Sequence, residues 1–287
     1  MIKYYKIHTW RNKLITESKN IKKSLKSIKK TNKNSEFDYS LLVDTAILLG
    51  EIMLKNGAET NRVEDAMHKL LRTTKMKHIE AVVMTTSIIV TLSDPSLEHI
   101  TAVSRIHERV TNLNRVDKAN SLVNKYCKKE IDLEELFRNL KELKQLNQYN
   151  NLLKDLGLIL IPPAFTIMLN GTYLDAISAL ICGILITILN KAFSYIKIND
   201  FMKNAIIVMI VSFMASVLSK LISSDVQSVV VGFIMPYVPG IAITNAVRDT
   251  FNADYMSGSA RLLDAIVQAL AVALGVFVGL YMSNVLL

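Results

Sequence analysis

The stretch Val226–Asp249, VQSVVVGFIMPYVPGIAITNAVRD, decides how the rest of the chain is interpreted. It is apolar enough to lie in a bilayer, yet its middle holds Pro236, Pro239 and Gly240. Proline lacks a backbone N–H and its ring clashes with the preceding turn, so a helix is predicted to break or kink here. A broken helix in lipid leaves backbone groups that protein or a wet cavity must satisfy, and transporters use such breaks as binding sites. A kinked structural helix is the alternative interpretation.

The chemistry expected at this break suits a small zwitterion or carboxylate. A half-helix that starts after Pro239 would point free N–H groups at a carboxylate, and the carbonyls freed before it would accept an ammonium group. The stretch then ends in polar groups on successive turns, Asn245, Arg248 and Asp249. Ionisable groups inside a membrane are costly and therefore functional candidates, although a carboxylate at the membrane boundary is cheap.

Two glycines are expected to behave differently. Gly240 is predicted either to adopt a positive φ or to let a substrate approach the backbone closely. Gly183 lies in the middle of another predicted span. Valine at position 183 is therefore expected to be milder than valine at position 240, unless that helix face packs closely.

The charge of the chain is unevenly distributed. The formal net charge is +9 over 287 residues, of which 51% are hydrophobic. Residues 151–287 hold seven basic and seven acidic side chains, whereas residues 1–34 hold eleven Lys or Arg and one Glu. These numbers predict a water-facing N-terminal half and a membrane-embedded C-terminal half.

The C-terminal half is predicted to be polytopic and α-helical. Each segment has about the 20 residues that a bilayer requires. The first is interrupted by Pro162-Pro163, which predicts two half-helices. The five expected helices lie near 152–170, 173–195, 202–222, 226–247 and 261–285.

The loops predict an orientation. Basic residues occur in the 191–203 and 248–261 connections but not in 171–174 or 221–225. The positive-inside rule then places the N-terminus in the cytoplasm and the C-terminus outside a cytoplasmic (inner) membrane.

The N-terminal half is predicted to contain a basic tail and a cytoplasmic α+β domain. Residues 1–37 are Lys-rich and lack an apolar signal region, so we expect a disordered or weakly helical tail that could touch anionic lipid. The tail contains no motif typical of base recognition, so nucleic-acid binding is not expected. Residues 38–147 follow with helices at 38–56, about 60–74, 115–129 and 132–145. Two strands around Thr85-Thr86 and a third at 97–106 complete this domain.

A charged corner joins the first two helices. It is the sequence Gly57-Ala58-Glu59-Thr60-Asn61-Arg62-Val63-Glu64, in which glycine ends one helix and Thr60 or Asn61 is expected to cap the next. Glu59, Arg62 and Glu64 form a dense charged cluster. It predicts either local ion pairs along the helix or a docking or gating corner.

No familiar catalytic or metal-binding motif is present in the sequence. HExxH, GxSxG, a phosphate-binding P-loop and CxxC are missing, and Cys127 and Cys182 have no metal-type spacing. We therefore expect no cofactor, no metal and no enzymatic activity. A membrane-anchored enzyme with its site near Glu59, Arg62 and Glu64, and a regulatory subunit that binds substrate without transport, are the alternatives.

Three sequence features together resemble the threonine/serine exporter family. They are the corner Gly57–Glu64, Pro236-x-x-Pro239-Gly240, and Gly258-x-x-Arg261. The resemblance covers about 38–287 and is greatest to the subunit type with a cytoplasmic domain and five helices. It implies proton-coupled efflux of small amino acids or, in some branches, of a dicarboxylate such as succinate.

The resemblance also implies a partner. Full-length members carry an additional membrane module after the part that matches, and this chain reaches Leu287 without it. A separate small polytopic membrane subunit is therefore expected. The family's N-terminal domain has been suspected of hydrolase-like activity, but no nucleophile–base pair in this sequence supports that activity.

Overall fold

The computed structural model describes residues 38–74, 76–94, 97–107, 110–146 and 149–286. The predicted basic tail, residues 1–37, lies outside the described residues. Ten α-helices and three strands occur in the described ranges. The N-terminal elements are α1 (Tyr39–Lys55), α2 (Thr60–Leu71), β1 (His78–Met84), β2 (Ser87–Asp94), β3 (Leu97–Arg105), α3 (Leu113–Cys127) and α4 (Leu133–Gln145). The C-terminal helices are α5 (Asn151–Met168), α6 (Tyr173–Phe193), α7 (Asp200–Ile222), α8 (Val226–Ile234), α9 (Gly240–Phe251) and α10 (Tyr255–Leu286).

The three strands form an antiparallel sheet in the order β1-β2-β3. A two-residue turn at Thr85-Thr86 joins β1 to β2, and Val83 pairs with Ile88. Side chains alternate along the strands, so Val83, Ile88 and Val90 are buried while their neighbours are more exposed. The predicted strands and the helices around them are confirmed to within a few residues. The division of the chain into domains stays a prediction.

The helix ends of this half depend on local capping, and one prediction is wrong. The Asp132 carboxylate accepts the Glu135 N–H at 2.7 Å, as its spacing predicts. Gly57 follows α1 with a φ of +91°, which only glycine adopts easily. In contrast, neither Thr60 nor Asn61 caps α2, because the N-cap residue is Glu59 and it makes no side-chain cap. The hydroxyl of Thr60 is used elsewhere, as described below.

The C-terminal half contains the helices that make this a multi-pass membrane protein. Among the described residues, four helices (α5, α6, α7 and α10) are long and apolar enough to cross a membrane. The bent pair Val226–Tyr237 and Gly240–Phe251 brings the number to five if it forms one span. The prediction of about five spans is therefore confirmed at that level. The last helix begins at Tyr255 rather than near residue 261, so the predicted 248–261 loop is mostly helical.

The prediction of two half-helices at Pro162-Pro163 is wrong, because α5 runs unbroken through both prolines. The Thr166 hydroxyl donates to the Pro162 carbonyl at 2.9 Å. The Ile159 carbonyl lacks the N–H that residue 163 would normally supply, and it lies against Gly183 of α6. A Cβ at Gly183 would lie 2.5 Å from this oxygen. Neighbouring helices thus accommodate the prolines without a break.

Small residues let these helices approach each other closely. Gly275 and Gly279 of α10 lie against the backbone of α7, where a Cβ would come within 2.6 Å of Ala205 O or 2.3 Å of Met209 O. Asp175 lies in the first turn of α6 and forms a capping box with Thr172. It also accepts the Asp225 N–H at 2.6 Å and so ties two helix starts together.

Candidate functional site

The break in Val226–Asp249 is a bend between two helices. After α8, residues Met235–Tyr237 form one turn of 3₁₀ helix, and α9 begins at Gly240. The two segments differ in direction by 56°. Pro239 stands at the N-cap of α9 and provides no side-chain cap, so the prolines interrupt the helix as the sequence predicts.

The first of the two alternatives predicted for Gly240, a positive φ, is wrong. Gly240 does not adopt a positive φ, because Gly57 is the only described glycine in that region of backbone conformation. It is exposed, and a Cβ built on it would meet nothing within 4 Å. The backbone at the break is therefore open, which leaves the second prediction, close approach by a substrate, untested.

The protein itself already satisfies part of the broken backbone. The Gln268 amide donates to the Tyr237 carbonyl at 2.9 Å, and the Met235 carbonyl accepts the Val238 N–H at 3.3 Å. Asn190 of α6 contacts the Tyr237 hydroxyl at 3.3 Å. The carbonyls of Met235 and Tyr237 therefore already accept hydrogen bonds and are not free for an ammonium group. Sequence reasoning missed Asn190 and Gln268, whose signal is a carboxamide in an otherwise apolar span.

A buried ion pair lies at the far end of the bent segment. The Asp249 side chain is fully buried, and its Oδ2 lies 2.8 Å from Nε of Arg261, whose side chain is 6% exposed. Asp249 lies in the last turn of α9, and Arg261 lies in the second turn of α10. The Asp249 carboxylate is therefore enclosed by protein, and a buried carboxylate requires a partner and hydrogen bonds.

A tight turn brings these two charges together. Ala253 adopts a φ of +65°, and the Asp254 N–H donates to the Asp249 carbonyl at 2.9 Å. Gly258 then lies against α9, where a Cβ would be 2.3 Å from Thr250 Oγ1. The Gly258-x-x-Arg261 spacing thus allows α9 and α10 to pack closely, one turn before the arginine.

The corner Gly57–Thr60 docks onto this ion pair. The Thr60 N–H and Oγ1 both donate to Asp249 Oδ1, at 3.3 and 2.9 Å. Arg261 Nη2 donates to the Ala58 carbonyl at 2.9 Å. The Asn245 amide donates to the Gly57 carbonyl, also at 2.9 Å. We name the set Gly57, Ala58, Thr60, Asn245, Asp249 and Arg261 the docking junction.

The remaining charged residues of the corner lie outside the buried part. Glu59 forms an ion pair with Arg248, whose side chain is 59% exposed. Asn61 and Arg62 are exposed. The cluster is therefore tied to the C-terminal half through Glu59, while the role of Asn61 and Arg62 stays a prediction.

Glu64 has a local structural partner. Its Oε1 accepts the Val83 N–H at 2.8 Å and so joins α2 to β1. Burial raises the pKa of Glu64 above its ordinary value, although the Val83 hydrogen bond acts in the opposite direction. The nearby Asp254 carboxylate raises the pKa further. Glu64 consequently costs some stability when it is ionised.

The described residues contain no group of three or more His, Cys, Asp or Glu side chains that could hold a metal ion. The dense polar chemistry described above instead concentrates at the docking junction. The docking junction brings together two of the three family-like sequence features, the corner Gly57–Glu64 and Gly258-x-x-Arg261. It lies at the C-terminal end of the bent segment that contains the third feature, Pro236-x-x-Pro239-Gly240.

Comparison with known proteins identifies the family. A family model described as "Putative threonine/serine exporter" matches residues 44–283, which is most of the chain. No curated protein matches the chain, and no solved structure does. With its multi-pass membrane helices, the chain therefore belongs to the threonine/serine exporter family of membrane transporters.

Proposed function

We propose that this protein is a subunit of a cytoplasmic-membrane exporter for small amino acids of the threonine/serine type, driven by proton exchange. The observation that carries the proposal is the docking junction: a buried Asp249–Arg261 pair at the end of a broken span. A paired positive and negative charge matches a zwitterionic amino acid better than it matches a dicarboxylate.

The translocation path in this proposal follows the bent segment. It includes the break at Pro236, Pro239 and Gly240, where the Gly240 backbone is open, and the polar end formed by Asn245, Arg248 and Asp249. The bend supports this path, because a helix break within a membrane is tolerated where its backbone faces protein or a water-filled cavity. The corner Gly57–Glu64 would act as the conformational part that opens or closes this end.

The orientation completes the proposal. Counting Lys and Arg places the N-terminus and the 191–203 loop in the cytoplasm, so the docking junction would face the compartment from which an exporter takes its substrate. A reporter fused after Leu286 should be active only outside the cytoplasm. Activity of the same fusion inside the cell would reverse the orientation and contradict export by this route.

A second small membrane subunit is also part of the proposal. The outer side of α5 would be its contact surface, because this span carries several exposed apolar side chains, including Leu152, Leu153, Leu156 and Leu160. Co-purification of a polytopic protein with the tagged chain, lost on charged substitution at Leu156 and kept on Leu156→Ala, would support this. A chain that exports alone in reconstituted vesicles would contradict it.

Export itself is tested in loaded cells. Cells with this chain and its partner are given a threonine-containing dipeptide, and threonine in the medium is followed by mass spectrometry. We expect faster efflux than with an empty vector, slowed by collapse of the proton gradient. A parallel measurement with succinate separates the dicarboxylate alternative. Equal intracellular threonine with and without the chain would refute the proposal.

A further inference from the structure

The way Asp249 holds Thr60 resembles the way it would hold a free amino acid. One carboxylate oxygen, Asp249 Oδ1, accepts both the Thr60 N–H and the Thr60 hydroxyl, at 3.3 and 2.9 Å. In free threonine and serine the nitrogen and the hydroxyl oxygen stand on the same two adjacent carbons. The fragment that the carboxylate contacts is therefore a fragment that either free amino acid would present, with an ammonium in place of the amide.

Arg261 holds the other end of the same corner. Its Nη2 donates to the Ala58 carbonyl at 2.9 Å while its Nε lies 2.8 Å from Asp249 Oδ2. A guanidinium forms stronger, charge-assisted bonds with a carboxylate than with a neutral carbonyl. The carboxylate of a free amino acid would therefore be a better acceptor at this position than the backbone oxygen that occupies it.

Ser257 provides a second, independent observation beside the pair. It lies one turn before Arg261 on α10, so the two side chains share a helix face. Ser257 is 1% exposed, and its hydroxyl has no hydrogen-bond partner among the residues that the structure describes. A buried hydroxyl left unsatisfied costs free energy, and an incoming carboxylate would satisfy it.

We infer that Asp249, Arg261 and Ser257 form the recognition site for a small hydroxy amino acid, and that Thr60 occupies this site as an internal substrate mimic. The inference rests on the proposed function and deepens it by naming the residues that recognise the substrate and the internal group that competes with it. Asp249 takes the ammonium and the hydroxyl, and Arg261 with Ser257 takes the carboxylate. A dicarboxylate is disfavoured, because its second carboxylate would face Asp249.

This arrangement makes binding and undocking of the corner the same event. A substrate must displace Thr60 and Ala58 before it can bind. Its apparent affinity is therefore the intrinsic affinity multiplied by the fraction of molecules in which the corner is undocked. Weakening the internal mimic should therefore strengthen the binding of free threonine. A site built to hydrogen-bond a hydroxyl should also reject the isosteric valine.

The first test measures L-threonine binding to the purified full-length chain in lipid nanodiscs. Thr60→Val removes the competing hydroxyl at nearly constant volume, and we expect apparent affinity for L-threonine to rise about tenfold. Thr60→Ser keeps both donors and should bind as the wild type does. The matched control is Thr73→Val, which removes a hydroxyl that bonds Leu70 O just beyond the same helix. Equal affinity in Thr60→Val and Thr73→Val would overturn the inference.

A second measurement uses only the wild-type chain and does not depend on the folding of a variant. The Thr60 N–H is held by Asp249, so its hydrogen exchange reports on docking. L-threonine should accelerate exchange in the 57–63 segment, while L-valine and succinate should not. Unchanged or slower exchange at saturating L-threonine would contradict the displacement of Thr60.

The two proposals fail in different ways. If cells export threonine but neither Thr60→Val nor hydrogen exchange responds, the recognition site is wrong and the exporter assignment stands. If Thr60→Val binds L-threonine tightly while loaded cells show no efflux, the recognition site stands and export is wrong.

Discussion

The break and the docking junction lie at the two ends of α9, yet the protein encloses them very differently. At the break, Gly240 is exposed, and a Cβ added to it would meet no atom within 4 Å. At the junction, Asp249 is fully buried and bonded to groups 189 positions away in the chain. The prolines therefore mark an exposed stretch of backbone, whereas the buried and paired polar groups lie at the opposite end of the same helix.

Loss of the buried arginine should have the largest effect. Arg261→Ala leaves the Asp249 carboxylate buried without its cation, and we expect the free energy of unfolding to fall by about 3–5 kcal/mol. The matched change Arg248→Ala removes an exposed ion pair on the same corner and should cost about 0–1 kcal/mol. Thermal unfolding of the purified variants measures both effects.

A double variant sharpens this contrast. Removing both charges, as in Asp249→Leu with Arg261→Met, should recover much of the stability while abolishing threonine binding. If Arg261→Ala and Arg248→Ala were equally stable, the junction would not be the enclosed site that its geometry indicates.

Replacing Gly183 by valine should have the next largest effect, because this helix face packs closely, which is the exception that the sequence expectation allowed for. Its Cβ would lie 2.5 Å from the Ile159 carbonyl, a backbone atom that cannot move freely. We expect a loss of about 1–3 kcal/mol from overpacking, seen as reduced abundance in the membrane. Gly157→Val is the control on α5, because a Cβ there meets nothing within 4 Å. Equal abundance of the two variants would show that the helices separate easily.

Valine at Gly240 should leave stability nearly unchanged. The open surroundings give its side chain room, so abundance should match the wild type. We expect threonine efflux to be lost, because a branched side chain would block the approach of a substrate to the backbone. Normal efflux at normal abundance would mean that the break is a structural kink only.

The smallest effect concerns pH and the helix that carries the corner. Because burial raises the folded-state pKa of Glu64, its stabilising contribution is complete below the unfolded pKa and is lost as the pH rises through the folded pKa. Glu64→Gln should remove this decline, which begins above the ordinary pKa of a glutamate, and the change should stay below about 1 kcal/mol for a partly exposed group. Unfolding midpoints measured as a function of pH provide the check.

Glu51 gives the opposite sign and serves as the comparison. Burial acts to raise its pKa, but hydrogen bonds from Lys144 and Ser104, at 2.8 and 2.5 Å, hold the pKa below its ordinary value. Its contribution is therefore present above the unfolded pKa and lost as the pH falls through the folded pKa. Glu51→Gln should lower stability at neutral pH, and a matching response of the two variants would refute the assigned signs.

The sequence alone determined the features that depend on local physics. Hydropathy over about 20 residues set the spans, β-branched runs set the strands, and the Asp132 spacing set a cap. The break at Pro236–Gly240 also followed from sequence, because the two prolines lack the N–H groups that a continuous helix requires.

Features that depend on contacts with distant segments became visible only in the folded chain. Pro162 and Pro163 do not break α5, where α6 packs against the Ile159 carbonyl that Pro163 leaves without its usual donor. Thr60, a cap residue by its local pattern, instead bonds Asp249, and Gly183 proves close to another backbone. A sequence pattern reports which groups need partners, but the partner is chosen by which distant segments the fold brings within hydrogen-bond distance.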